Sequence, residues 1–259
     1  MRTLTLSLAT VVALSASIVH AQPQPPSGRV TRTVSTGPET GYVDFNLGLQ
    51  ATSTAFDITT HPLTFVEPAT VQTTYSVKGA REFDVGAGVR VTRNLAVGGS
   101  FSKFEKGGNV SVDAKVPHPF FFDRARTVSG TADNLSRAET GFHGKVVFIA
   151  PVGAGWEVLV SGGPSFFQVE QDLVEDIKIK ETYPYDTATF DGAVATRHST
   201  SGLGFNVGAD VTRLLTPHMG IGAAVVISRA KLHFDTFSDP ARDFDVGGTR
   251  IGGGLRFRF

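Results

Sequence analysis

Charged side chains alternate with apolar ones along several segments of this sequence. Successive side chains of an extended strand point to opposite faces, so each such segment has one charged and one apolar face. Together the polar faces carry five acids and five bases: Asp44, Glu82, Asp84, Glu157 and Asp210, with Arg90, Lys145, Arg250, Arg256 and Arg258. Buried charges are unfavourable unless they are paired. The matched numbers therefore predict either a salt-bridged structural plug or a gate whose ion pairs exchange partners.

A second candidate site is a run of three phenylalanines, Phe120, Phe121 and Phe122, flanked by prolines and followed by Arg124 and Arg126. Exposed apolar patches often mark interaction sites, so this run predicts a recognition tip. The alternative interpretation is that the rings fold back over the mouth of the structure. They could equally lie in a lipid surface layer with the two arginines near phosphates.

Residues with the spacing of a catalytic or metal site are not evident. The histidines beyond the N-terminal segment are His61, His118, His143, His198, His218 and His233. Only His143 lies well within an alternating segment, and no spacing fixes a nucleophile with its base. Glu170, Asp172, Glu175 and Asp176 could surround a divalent ion, but a solvated hairpin is the favoured interpretation. We expect no catalytic residue, no metal and no cofactor.

The alternating segments predict eight strands. They span approximately 42–51, 81–92, 95–105, 138–150, 155–168, 201–213, 219–232 and 244–259. Short turns follow the second, fourth and sixth strands, and long connections follow the first, third and fifth. Long loops are uncommon inside compact soluble domains. The alternation is typical of outer-membrane barrels, with turns in the periplasm and loops outside.

Composition indicates which strand face meets lipid. The 259 residues include 29 glycines and 20 phenylalanines, and many glycines share the face opposite the apolar residues. Glycine weakens solvent-facing strands, whereas the narrow interior of an eight-stranded barrel requires small side chains. We therefore predict an all-β fold, an eight-stranded antiparallel up-and-down transmembrane β-barrel with its apolar face outward. Eight strands leave no open bore, so a wide porin is disfavoured.

The N-terminal segment predicts export. Residues 1–21 combine a positive start, an apolar run and small residues at a cleavage position, which is typical of a signal peptide. Residues 22–40 are rich in proline, serine and threonine and predict a disordered periplasmic tether before the barrel domain at 41–259. The formal net charge is zero, so nucleic acid is not an expected partner. The absence of cysteine excludes disulfides and thiolate sites.

The end of the chain carries a family resemblance. Leu255, Phe257 and Phe259 alternate up to a terminal phenylalanine, which resembles the strand signal read by the barrel assembly machinery. With the eight strands, this segment makes the chain similar to the small outer-membrane β-barrel proteins of the OmpA, OmpX and OmpW type. The resemblance implies a monomer in the outer membrane, with membrane lipids, lipopolysaccharide and the assembly machinery as partners. We expect no counterpart of the peptidoglycan-binding domain of OmpA.

The function expected from these features is structural or interactional, through long extracellular loops above a narrow lumen plugged by salt bridges. The first alternative is a narrow channel for small or hydrophobic solutes. A lipid-modifying enzyme is a weaker alternative, and we expect no enzymatic activity.

Overall fold

The computed structural model describes residues 40–51, 54–77, 79–153, 155–234 and 242–259, and its regular structure is β. The strands are β1 (Gly41–Gln50), β2 (Thr54–Thr60), β3 (Leu63–Thr64), β4 (Glu67–Pro68), β5 (Thr70–Val77), β6 (Arg81–Arg90), β7 (Leu95–Pro117), β8 (Ala125–Gly153), β9 (Trp156–Glu181), β10 (Ala188–Leu214), β11 (Met219–Phe234) and β12 (Arg242–Arg258). Within these ranges no helix is long and apolar enough to cross a membrane.

Eight of these strands close into a ring. β1 pairs antiparallel with β6 on one side and with β12 on the other, and β6 to β12 pair in chain order. Short turns join β6 to β7, β8 to β9 and β10 to β11. The prediction of an eight-stranded antiparallel barrel is confirmed. Closure removes the unpaired strand edges that a bilayer cannot satisfy.

The outward face of the ring is apolar over a band of alternate residues. Exposed outward side chains include Phe45, Leu47, Val89, Val97, Phe142, Val160, Phe205, Ile221 and Leu255. Toward the long hairpins, the outward series becomes polar on most of the strands, at Arg81, Lys103, Thr140, Gln168, Ser201, Arg229 and Thr249. This change marks the outer limit of the lipid-facing band. Trp156, Leu95, Met219 and Phe259 are exposed at the opposite, periplasmic rim.

The strands above this limit are longer than predicted. β7, β8, β9 and β10 contain 23, 29, 26 and 27 residues, so the predicted second and third loops continue as strand. The period-two pattern does extend into them, with Val110, Val112, Ala114 and Val116 buried on β7. The predicted strands end too early because the outward residues of these extensions are polar, as on strands that face water, and not apolar as in the lipid-facing band.

These extensions pack around an apolar core of their own, and we call them the head. Above Arg137, whose partner on β9 is Gln171, β8 pairs only with β7. The upper part of β7 also takes β5 as a partner, and β5 takes β2. The β9–β10 hairpin forms the second layer, and a shared core lies between them: Val71, Tyr75, Val110, Val112, Ala114, Val116, Val128, Ala132, Leu173 and Val174.

The N-terminal predictions cannot be compared with this fold. The signal peptide predicted at 1–21 and all of the predicted tether except Thr40 lie outside the described residues. Thr40 donates its backbone N–H to the carbonyl oxygen of Phe259 at 2.8 Å. The two described ends of the chain therefore meet at the periplasmic rim.

Candidate functional site

The ten charged residues singled out in the sequence lie on the inner face of the barrel, in separate ion-paired groups. Arg250 contacts Glu82 at 2.5 Å and Asp84 at 3.4 Å. The remaining ion pairs join Arg256 to Asp210 and to Asp44, and join Glu157 to Arg258 and to Arg90. We call these residues, with Lys145, the lumen cluster. Alternation places them there because each lies on the face opposite the lipid-facing series.

Lys145 lies differently from the other bases of the lumen cluster. It lines an internal cavity of about 60 Å³ together with Asp44, Asp84 and Asp210. This volume has room for a few water molecules. Glycine makes space for the neighbouring guanidinium, since a Cβ at Gly222 would stand 3.0 Å from Nε of Arg256.

Apolar layers lie along the lumen on both sides of the central ion pairs of Arg250 and Arg256. The pairs that Glu157 makes with Arg90 and Arg258 lie at the periplasmic ends of their strands. Toward the periplasm, buried Ala96, Val147 and Ile149 pack with Tyr42 and Leu159. Toward the head, an apolar layer is formed by Phe167, Val169, Ala230, Leu232, Phe244 and Val246. A solvated ion passing through would lose its hydration shell at each layer, which is unfavourable in an apolar environment.

His143 lies inside the barrel beside the lumen cluster and forms a polar network. Its Nε2 is 3.0 Å from Oγ of Ser102 and its Nδ1 is 2.8 Å from Oγ of Ser165. Asn206 donates to the same Ser165 oxygen at 3.0 Å. All four side chains are buried, and Phe167 packs edge-on against the imidazole ring. The histidine and serines are in contact, but the layer above them separates them from the outer surface.

The three phenylalanines lie at the outermost tip of the β7–β8 hairpin. Phe120, Phe121 and Phe122 are 69%, 56% and 78% exposed, so the rings do not fold back over the barrel mouth. Two other tips, at 62–68 and 182–187, stand beside them. We call the three tips together the apex. At about 3.3 Å per residue, β7 runs roughly 45 Å from Lys103 to the apex, well clear of the lipid-facing band.

Contacts between the tips hold the apex in place. Arg124 donates to Asp186 at 2.9 Å, and the backbone N–H of Asp123 donates to Glu67 at 3.2 Å. Phe120 packs edge-on against Tyr185 with ring centroids 5.4 Å apart. Arg126 is buried, pairs with Glu181, and donates to the carbonyl oxygens of Tyr185 and Pro117. Of the two predicted arginines, Arg124 is therefore exposed at the surface and Arg126 is buried in the head.

The acidic segment on β9 is a paired strand, as the favoured hairpin interpretation predicted. Asp172 accepts hydrogen bonds from Arg197 at 3.0 Å and from the Ser136 hydroxyl at 2.6 Å. Burial alone would raise the pKa of Asp172, but these hydrogen bonds hold it below its ordinary value. The described residues contain no group of three acidic or histidine side chains arranged to hold a metal ion.

Two buried features were missed in the sequence. Arg137 and Glu139 pair at 2.7 Å inside the junction of barrel and head. On β8 they are an even number of positions from His143 and Lys145, so all four side chains share the inward face. Extending the predicted strand toward the head would have placed both residues inside. Tyr75 accepts a hydrogen bond from the N–H of Val174 at 2.7 Å. No sequence signal joins β5 to β9, because that contact depends on how the hairpins fold together.

The C-terminal residues occupy the last barrel strand. Leu255 and Phe259 are exposed to the outside of the ring. Phe257 lies edge-on to Phe45 of the neighbouring β1 with centroids 6.1 Å apart. This arrangement joins the end of the chain to its first barrel strand, and recognition by an assembly machinery remains a prediction.

Comparison with known proteins gives similarity of fold. No protein-family model matches the chain, and no curated protein matches it by sequence. Among solved structures, Neisserial surface protein A is 11% identical with a TM-score of 0.42, covering 85% of this chain and 97% of that one. OprG from Pseudomonas aeruginosa is 10% identical with a TM-score of 0.42, covering 86% and 98%. The outer membrane protease OmpT from Escherichia coli is 10% identical with a TM-score of 0.43, covering 89% and 100%.

Proposed function

We propose that this barrel is a non-conducting outer-membrane protein that holds a rigid head outside the cell for contact with other surfaces. The observation that carries the proposal is the filled lumen. Paired charges occupy its centre, and apolar layers lie on both sides of them. A protein with a blocked lumen and a packed external unit is suited to interaction rather than to transport.

The head supports the interactional part of this role. Its own apolar core of buried valines, with Tyr75 and Leu173, keeps the hairpins in one arrangement. Preorganised surfaces bind without the entropic loss of ordering loops. Exposed aromatic side chains at the apex are of the type that dominates binding surfaces. The apex, including Phe120, Phe121, Phe122 and Arg124, is the contact surface in this proposal.

The first test is electrical. Purified full-length protein inserted in a planar bilayer is expected to give no conductance steps, because any ion would have to cross the apolar layers and the paired charges. An open porin reconstituted in the same way provides the positive control, and heat-modifiable gel migration confirms that the barrel is folded. Regular steps from folded protein would contradict the proposal and favour the narrow-channel alternative.

The second test concerns the apex. The triple variant F120S/F121S/F122S is expected to reduce attachment of expressing cells to host cells or lipid surfaces by at least about tenfold, since aromatic anchors supply much of the binding energy. Attachment is measured by counting bound cells at equal surface expression. V194S is the matched control, because Val194 is an exposed apolar residue on β10 away from the apex. Unchanged attachment of the triple variant would exclude the apex as the contact surface.

A further inference from the structure

The wall between barrel and head has an opening on one side of β7. Phe104 is the last β7 residue paired with β6, and Ser111 is the first β7 residue paired with β5. Between them the described residues supply no neighbouring strand on that side, and a bulge lies between Gly108 and Val110. A cavity of about 490 Å³ opens here, lined by residues that include Tyr75, Lys106, Asn109, Arg137 and Gln171.

The inner end of this cavity holds buried polar atoms that lack partners. Arg137 is only 2% exposed, and its Nε donates to Glu139 at 2.7 Å. Its Nη1 has no hydrogen-bond acceptor in the described part of the chain. Oε1 of the buried Gln171 likewise has no donor there. A buried cationic donor without an acceptor is unfavourable unless a water molecule or a ligand completes it.

The charge pattern at the same place is also unusual. Lys106 and Arg137 are direct cross-strand partners on β7 and β8, and both line the cavity. Like charges in this position repel each other. Glu139 forms an ion pair with Arg137, whereas Lys106 forms no ion pair within the described ranges. The cavity therefore carries one more positive charge than the protein balances at this point.

We propose that this cavity binds the anionic group of a ligand, a phosphate or a carboxylate that also carries a hydroxyl or amine donor. The anion accepts hydrogen bonds from Arg137 Nη1 at the inner end and from Lys106 nearer the mouth, and the ligand's donor reaches Gln171 Oε1. Charge-assisted bonds of this kind are among the strongest in proteins, and Arg suits oxyanions by geometry. The volume lies within the range of small-molecule sites.

The position of the cavity gives the anion two possible sources. Lys103 marks the outer limit of the lipid-facing band on β7, and Lys106 follows it by three residues on the inward face. The cavity thus lies just outside the bilayer, within reach of both a lipid headgroup and a free phosphate. Both sources supply the same anionic phosphate group, so the test must distinguish a lipid headgroup from a free phosphate.

The experiment uses the full-length protein in micelles. One arm titrates inorganic phosphate by calorimetry. The other arm adds phosphatidylglycerol or phosphatidylcholine and counts the lipid molecules retained in native mass spectrometry. K106Q is expected to weaken binding of the anion about tenfold. K103Q is the matched control, since Lys103 is exposed on the opposite face of the same strand, and it is expected to bind like the parent protein.

The outcomes show whether the cavity binds an anion and whether that anion is a free phosphate or a lipid headgroup. Binding of phosphate that K106Q weakens supports a site for free anions, and selective retention of phosphatidylglycerol that K106Q weakens supports a headgroup site. Equal loss in K106Q and K103Q, or no binding in either arm, would overturn the proposal. R137Q/E139Q removes the buried pair together and avoids leaving Glu139 unpaired. It is expected to lose binding while keeping heat-modifiable migration.

Discussion

Replacement of Arg256 by methionine is expected to lower the free energy of unfolding by about 3–5 kcal/mol, among the largest losses for any single change in the lumen. Arg256 is buried and pairs with both Asp44 and Asp210. Methionine fills much of the volume but leaves two carboxylates inside the barrel without this counter-charge. Unfolding by urea in lipid vesicles measures the loss, and the fluorescence of Trp156, the single tryptophan of the chain, reports on it.

Two further variants separate charge pairing from packing. D44N/D210N/R256M removes the acids with the base, and is expected to recover most of the lost stability because no unpaired charge remains. R229M removes an arginine from the exposed outer face and is expected to change stability by less than about 1 kcal/mol. A loss in R256M no greater than in R229M would show that the lumen cluster does not hold the barrel together.

Arg256 can be assigned to the lumen from the sequence because strand side chains alternate between the two faces, a rule that we call parity. Leu255 and Phe257 on either side of it continue the outward apolar series of the last strand. The intervening residue must then point inward, whatever its chemistry. The same rule placed Asp84 between Phe83 and Val85, and Lys145 beside Val146. In a barrel, unlike a sandwich, a correct strand and a correct face suffice to bring such side chains into one narrow space.

Parity does not reveal which charges pair or where the wall opens. Arg250 is separated from Glu82 by 168 positions, and their contact depends on the register across β1. The cavity beside Lys106 depends on β5 pairing with the upper part of β7, a contact between the predicted first and second long loops. Asn134, whose φ is +59°, is one of two β8 residues opposite the single β7 residue Asn109, and nothing in the local pattern requires this bulge. These features depend on how distant strands pair with one another, and the sequence of a single strand does not specify that pairing.

The stability of the head can be tested separately from the stability of the barrel. Tyr75 is 2% exposed, stacks on Phe56 at 4.8 Å and reaches from β5 to β9. Burial raises the pKa of its phenol to about 12, so the group stays protonated and neutral while accepting the Val174 N–H. This side chain links the two layers of the head. Below it, the ring centroid of Phe56 lies 6.1 Å from that of Phe244, in the apolar layer between the head and the lumen cluster.

Y75A is therefore expected to destabilise the head by about 3–5 kcal/mol, as for other buried aromatic truncations, while the barrel remains folded. Hydrogen exchange should accelerate at Val174 and along β5, but not at lumen positions such as Asn206. Y75F keeps the ring and removes only the acceptor, so a smaller loss of about 1 kcal/mol is expected. If Y75A accelerated exchange equally in head and barrel, the two would unfold as one unit, and the head would not be independent of the membrane-spanning ring.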